Sequence, residues 1–210
     1  MPIQRFANSN PLAFKFIHDS PELWDRRIAV LGWGSLISNP DGDASIGQRP
    51  LKIAGKFCPG GPFLPLEFSR ISKDGRLTLV IDSAHGTPCE TFYAICATPN
   101  LNDAIQNLAA REGMSIQQVH FAVGGGDYSD SIRRGISEWL IRNQLSKAIW
   151  TGLPPKFSFQ NVAEFSTEAA IEYLKSLTGV MRQKAFNYIA AAPATIKTPV
   201  RAMANELFGL

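Results

Sequence analysis

The chain of 210 residues is 45% apolar and 19% charged, proportions typical of a globular domain large enough to bury its own core. Its 21 basic and 18 acidic residues are spread along the chain and leave a net charge of +3. This even distribution excludes the clustered positive charge that a nucleic-acid binder needs, and it favours a protein that acts on a small molecule. A single domain over residues 1–210 is expected.

Cysteine and histidine spacing bears on redox and metal chemistry. The three cysteines include no C-x-x-C pair, and the three histidines lack the spacing of metal ligands. No run of about 18 apolar residues is present, and the N-terminus lacks a basic start followed by an apolar stretch. We therefore expect a cytoplasmic protein without a membrane span, disulfide framework, metal or cofactor. The three cysteines are Cys58, Cys89 and Cys96, and the three histidines are His18, His85 and His120.

The N-terminal part of the chain predicts an irregular segment followed by a strand. Residues 1–25 are rich in Asn, Pro and Asp, with a short helix expected near 21–24. The β-branched run at 27–31 ends at Gly32 and predicts a buried strand. Gly, Pro, Asn and Asp dominate residues 38–50, which predicts a loop.

Further strands are expected before the middle of the chain. Residues 63–70 and 77–81 have strand-like patterns, and the Lys-Asp-Gly sequence at 73–75 marks a hairpin turn between them. Another strand, 91–96, follows a turn at 85–88. The first half of the chain is therefore predicted to be rich in strands.

The second half of the chain is predicted to be mainly helical. Asn100 and Gly113 are typical cap and stop residues for a helix that begins at Leu101. Strands followed by helices, rather than regular alternation, predict a mixed α+β fold with a helix-rich C-terminal extension from about residue 114. Further helices are expected at 130–145, 167–178, 180–192 and 199–207, with a last strand at 148–151.

The turn at residues 32–35, Gly-Trp-Gly-Ser, allows several interpretations. A dinucleotide-binding G-x-G-x-x-G motif needs a third glycine where this sequence has Ile37. A serine nucleophile at Ser35, with His85 and Asp82 supplying the base, lacks the G-x-S-x-G elbow. The two glycines also permit a tight turn that has no chemical role.

A fourth interpretation treats the turn as an anion-binding nest. Successive main-chain N–H groups of Gly34, Ser35 and Leu36, together with the Ser35 hydroxyl, can surround a carboxylate. Such a site would bind a small acidic substrate. Arg70, which follows a predicted strand, either steers an acidic substrate or lies exposed in a loop.

Aromatic residues allow a different class of function. Phe157, Phe159 and Phe165 follow a Pro-Pro pair and would form an exposed stripe in a protein–protein interaction module. Burial in a C-terminal core explains the same residues. Tyr93, on a predicted strand, is likewise expected in the core.

Two motifs resemble those of the γ-glutamylcyclotransferase-like proteins. A strand followed by Gly-aromatic-Gly-Ser-Leu-Ile and then Asn-Pro, over residues 32–40, is similar to the Y-G-S-L turn of the ChaC-type branch. The segment N-L-A-A-R-E-G at 107–113 resembles the helix end that carries the family's catalytic glutamate, here Glu112. The order of the motifs and the predicted strands between them are also similar to the family's layout. Trp33 stands where the family usually has tyrosine.

The resemblance implies a fold, an activity and a set of site residues. The fold would be a mixed, strongly curved, barrel-like sheet surrounded by helices. The activity would be release of 5-oxoproline from a γ-glutamyl amide or peptide, glutathione among them, without a cofactor. Glu112 would be the general acid and base. The substrate would be bound by Gly32, Trp33, Gly34, Ser35 and Leu36.

This reaction needs a base. The substrate's α-amine must attack its own γ-carbonyl, so a proton must first leave the ammonium group. A solvated glutamate, with a pKa of about 4.3, is a weak base, and burial of Glu112 would raise that pKa. Pairing of Glu112 with Arg111 at a helix end is the purely structural alternative. The functional alternatives are a relative that binds a small acidic metabolite without turnover and a different amide-cleaving reaction.

Overall fold

The structure is a computed structural model, which describes residues 25–160 and 164–210. Within these residues the strands are β1 (Asp25–Gly32), β2 (Ile53–Ile71), β3 (Leu77–Ile81), β4 (Thr87–Cys96), β5 (Val119–Val123) and β6 (Leu145–Thr151). The helices are α1 (Ser35–Ser38), α2 (Leu101–Glu112), α3 (Ser131–Arg142), α4 (Thr167–Ser176), α5 (Gly179–Ala190) and α6 (Pro199–Phe208). These elements confirm the predicted mixed α+β class.

The strands form one mixed sheet in the order β3-β2-β4-β1-β6-β5. Near its centre, β1 pairs parallel with β6 and antiparallel with β4, and the other pairs are antiparallel. The edge strands β3 and β5 do not pair with each other, so the sheet is open. The expected barrel-like curvature is therefore not confirmed.

Strand β1 separates two apolar clusters because its side chains alternate between the faces of the sheet. Ile28 and Val30 pack with buried residues of α2 on one face. Ala29 and Leu31 pack with buried residues of α3, α4, α5 and α6 on the other. The sheet is thus covered by α2 on one side and by the C-terminal helices on the other.

Helix α2 begins and ends where the sequence predicts. The Asn100 side chain accepts hydrogen bonds from the main-chain N–H groups of Asn102, at 2.9 Å, and Asp103, at 3.2 Å. Gly113 ends the helix in the left-handed conformation, with φ of 63°. These two caps fix the position of Glu112, the last helical residue.

Some elements differ from the prediction. Strand β2 begins at Ile53 rather than near residue 63, and its pairing with β4 shifts register near Gly55 and Gly60, which both have positive φ. The edge strand β5 was not predicted. The helix expected over 130–145 is shorter, because it ends at Arg142 in the structure. Leu145, the last residue of the expected range, is the first residue of β6. The short helix expected near 21–24 lies outside the described residues.

The aromatic residues of the C-terminal half pack against one another. The rings of Phe157 and Phe165 are 5.6 Å apart between centroids, and those of Phe159 and Tyr173 are 5.3 Å apart. Phe157, Phe165 and Tyr173 belong to the apolar cluster that the C-terminal helices cover, and the partly buried Phe159 and Tyr93 pack against it. The geometry favours core packing over an exposed aromatic stripe.

In the parts of the chain that the structure describes, no helix is both long enough and apolar enough to cross a membrane. Among the same residues, no three His, Cys, Asp or Glu side chains are grouped as metal ligands.

We predict opposite stability effects for alanine at two glycines. A Cβ at Gly32 would lie 2.9 Å from the Phe57 ring, so Gly32→Ala should lower the free energy of unfolding by about 1–3 kcal/mol. No atom lies within 4 Å of a Cβ at Gly135 in α3, so Gly135→Ala should raise it by about 0.5–1 kcal/mol. Urea denaturation measures both changes. If Gly32→Ala has the same free energy of unfolding as the parent, the Phe57 ring tolerates a methyl group at this position.

Candidate functional site

A cavity of about 220 Å³ lies at the end of β1. Glu112, from the end of α2, lines this cavity together with the turn that follows β1. The structure therefore brings together the two segments that the sequence analysis singled out. All five residues expected to bind the substrate line the cavity: Gly32, Trp33, Gly34, Ser35 and Leu36.

The turn after β1 leads directly into a short helix. Ile37 N–H donates to the Gly34 carbonyl at 3.0 Å, and Asn39 N–H donates to the Ser35 carbonyl at 2.9 Å, which forms the short helix α1. No side chain caps the N-terminus of this helix at Gly34. The N–H groups at the start of a helix have no acceptor within the helix itself, so those of Ser35 and Leu36 are suited to an anion.

Trp33 joins the turn to the edge strand β3. Its indole N–H donates to the Leu79 carbonyl at 3.2 Å, and only 5% of the residue is exposed. It belongs to the apolar core and also lines the cavity. Trp33 is therefore part of the core and of the cavity wall at the same time.

The loop after α1 is connected to α2 by the buried guanidinium of Arg111. Its Nε donates to the Pro40 carbonyl at 3.1 Å, and its Nη2 donates to the Asn39 carbonyl. Its Nη1 lies 3.2 Å from Oε1 of Glu112. The pairing of Glu112 with Arg111 considered from the sequence is thus present, and it occurs in the cavity wall rather than in solvent.

Two effects act on the carboxyl group of Glu112, whose side chain is 19% exposed. Burial raises its pKa, because removal from water disfavours the charged form, and the positive charge of Arg111 opposes this effect. The net result is a pKa above the ordinary glutamate value. A carboxylate of this kind is a stronger base than a solvated one.

The cavity also contains residues that the sequence analysis did not assign to it. Tyr188, from α5, and Arg76, just before β3, line it. Arg70 lines it as well, from within β2 rather than from an exposed loop, and donates through Nη1 to the Pro154 carbonyl at 2.8 Å. No local motif marks these residues, since each reaches the cavity only through the tertiary fold.

A second cavity of about 630 Å³ adjoins the first. The two share the wall residues Ser35, Gln48, Arg76, Arg111 and Tyr188. We call the first cavity the inner cavity and the second the outer cavity. Charged side chains of both signs line the outer cavity, among them those of Asp43, Asp74 and Lys184.

The serine-hydrolase interpretation receives no support from the geometry. His85 Nδ1 lies 3.4 Å from Oδ2 of Asp82, in the turn between β3 and β4. Neither residue lines the cavity that contains Ser35. Asp82 instead accepts hydrogen bonds from the main-chain N–H groups of Ala84 and His85, both at 3.0 Å, which stabilise the turn.

Comparisons of the chain with protein-family models, with curated proteins and with solved structures found no match.

We predict that Glu112→Gln changes the pH dependence of stability. Because the pKa of Glu112 is raised in the folded protein, its protonated carboxyl group contributes to the free energy of unfolding. This contribution is fully present below the pKa that Glu112 has in the unfolded chain. That contribution is lost as the pH rises through the folded-state pKa. The parent should therefore lose more stability than Glu112→Gln between pH 4 and pH 7 in urea denaturation.

The control is Glu138→Gln, which alters an exposed carboxylate on α3. This variant should follow the parent at both pH values. If the parent and Glu112→Gln lose equal stability over this pH range, the pKa of the Glu112 carboxyl group is not raised in the folded protein.

Proposed function

We propose that the protein is a γ-glutamylcyclotransferase-like enzyme, with the fold of that family, which releases 5-oxoproline from a γ-glutamyl amide or peptide in the cytoplasm. The observation that carries this proposal is that Glu112 and residues 34–36 line one cavity. A single small ligand in this cavity can therefore touch both the buried carboxyl group and the turn that we propose as the anion-binding site.

The turn binds the substrate in this proposal. The N–H groups of Gly34, Ser35 and Leu36 donate to the α-carboxylate of the glutamyl group. Gly32 and Trp33 form the adjoining wall. Because ring closure is intramolecular, the main task of this surface is to hold the glutamyl chain in a bent conformation.

Glu112 transfers the protons. Its carboxylate takes a proton from the α-ammonium group, and the free amine adds to the γ-carbonyl carbon. When the tetrahedral intermediate collapses, the C–N bond to the leaving amine breaks and the Glu112 carboxylic acid protonates that amine. The ring nitrogen gives its extra proton to the Glu112 carboxylate, which passes it on to the departing amine. The products are 5-oxoproline and the protonated leaving amine, and the carboxylate is restored. These steps need no metal or organic cofactor.

The outer cavity accommodates the leaving group in this proposal. It is larger than the inner cavity, with a volume of about 630 Å³ against about 220 Å³. The charged side chains of Asp43, Asp74 and Lys184 make it suitable for a polar leaving group, such as an amino acid or peptide.

A second candidate function is binding of a small acidic metabolite without turnover. Trp33 favours it, because its indole N–H already donates to the Leu79 carbonyl and offers no hydroxyl group to a substrate. The reaction and the binding function differ in one measurable respect, the release of 5-oxoproline.

The test is a panel of γ-glutamyl amines, γ-glutamyl dipeptides and glutathione assayed for 5-oxoproline. We expect turnover of at least one member by the parent. Loss of a general base typically lowers the rate by about 10²–10⁴-fold, so Glu112→Gln should lose at least about 100-fold. Glu138→Gln, on the exposed side of α3, should retain the parent rate.

Parent activity in the Glu112→Gln variant would contradict the proposed mechanism. A folded parent that releases no 5-oxoproline from any member of the panel, but binds 5-oxoproline in calorimetry, would favour the binding function instead.

A further inference from the structure

The C-terminal helical half contributes a phenol group to the candidate site. Helix α5 carries Tyr188, which lines both the inner and the outer cavity. A Cβ at Gly34 would lie 2.9 Å from the Tyr188 hydroxyl oxygen and 3.7 Å from Cζ. The hydroxyl therefore lies directly against the glycine turn, at the junction of the two cavities.

Neighbouring side chains fix the position of this ring. Phe68 contacts it edge to face, with 6.2 Å between ring centroids. The guanidinium carbon of Arg76 lies 5.4 Å from the ring centroid on another side. Nε of Arg76 is in turn 2.7 Å from Oδ2 of Asp74. The phenol is thus held in place before a ligand arrives, which favours a preorganised role.

The hydroxyl group keeps its proton at neutral pH. Burial raises the pKa of Tyr188 to about 12, opposed by a main-chain hydrogen bond from Leu79 and by the charge of Arg76. The negative charges of Glu112 and Asp74 raise it further. Tyr188 lines both cavities, so a ligand bound there can accept a hydrogen bond from its O–H.

The negative charge of the proposed reaction develops close to this donor. Glu112 takes a proton from the attacking amine and returns one to the leaving amine, and both nitrogens are bonded to the γ-carbon in the intermediate. The γ-carbonyl oxygen therefore lies near Glu112, which lines the same cavity as Tyr188. The turn that borders the phenol, at Gly34, is the one assigned to the α-carboxylate.

We infer that the Tyr188 hydroxyl donates a hydrogen bond to the γ-carbonyl oxygen of the substrate and stabilises the oxyanion that forms when the α-amine attacks. This inference rests on the proposed function. As the N–C bond forms, the carbonyl π-electron pair moves to the oxygen, and Tyr188 binds that oxygen without giving up its proton. When the C=O bond forms again, the bond to the leaving amine breaks.

The experiment compares Tyr188→Phe with the parent on whichever γ-glutamyl compound the parent turns over. Removal of one oxyanion donor typically lowers kcat by about 10²–10³-fold. We expect Tyr188→Phe to lose about 100-fold or more in kcat, with KM and the calorimetric affinity for 5-oxoproline changed less than about 3-fold.

The matched control is Tyr173→Phe. The Tyr173 hydroxyl donates to the Gly75 carbonyl at 2.6 Å, so this change also removes a phenol hydrogen bond from the helical half. Tyr173 does not line the inner or the outer cavity. We expect Tyr173→Phe to keep the parent kcat even where its unfolding midpoint falls.

A second measurement decides the matter if Tyr188→Phe fails to fold. Incorporation of 3,5-difluorotyrosine in place of Tyr188 keeps the ring and makes the phenol more acidic. If the O–H donates to the oxyanion, kcat should decline at a lower alkaline pH than in the parent, because the donor is lost on ionisation. A structural tyrosine would leave the pH profile unchanged.

Three results would overturn the inference. Tyr188→Phe with parent kcat would exclude an oxyanion donor, and a loss confined to KM and 5-oxoproline affinity would assign the hydroxyl to ground-state binding. A parent that turns over no γ-glutamyl compound would overturn the proposed function itself, and the inference with it. The behaviour of the parent therefore distinguishes the two failures.

Discussion

The buried guanidinium of Arg111 is the interaction on which the candidate site depends. A positive charge removed from water needs several acceptors, and Arg111 finds them in the carbonyls of Asn39 and Pro40 and in the carboxylate of Glu112. The first two contacts fix the loop that follows the glycine turn. The third directs the acid at the end of α2. One side chain therefore sets the position of the turn relative to the Glu112 carboxyl group.

The contact between Arg111 and Glu112 also limits how far burial can raise the pKa of Glu112. Burial alone would favour a neutral Glu112, while the adjacent positive charge favours the ionised form, and the net pKa lies above the ordinary value. In the proposed reaction, a fully solvated carboxylate would be a weaker base, and a carboxylate buried without Arg111 would bind its proton more tightly. The C-terminal helices complete this environment, because Tyr188 of α5 lies against Gly34 on the other side of the cavity.

Local sequence signals predicted the elements that carry the motifs. The apolar run ending at Gly32 predicted β1, and the caps at Asn100 and Gly113 predicted α2. The sequence could not show that Arg111 binds the Asn39 and Pro40 carbonyls, because such contacts depend on how distant segments pack. Similarly, β5 is short and lies at the edge of the sheet, so its alternation of apolar and polar residues is weak. Strand β2 is interrupted by glycines, which are depleted in strands. Tyr188 stands in α5, whose apolar residues do not gather on one face, so the sequence does not show which side of this helix meets the site.

The most direct measurement of the central claim is a crystal structure of the protein with 5-oxoproline, the product that carries the carboxylate and the newly formed ring. The account predicts the ligand in the inner cavity, with its carboxylate within hydrogen-bond distance of the main-chain N–H groups of residues 34–36 and its ring nitrogen facing Glu112. Clear density for the ligand at another surface, with the inner cavity filled only by water at saturating 5-oxoproline, would contradict it.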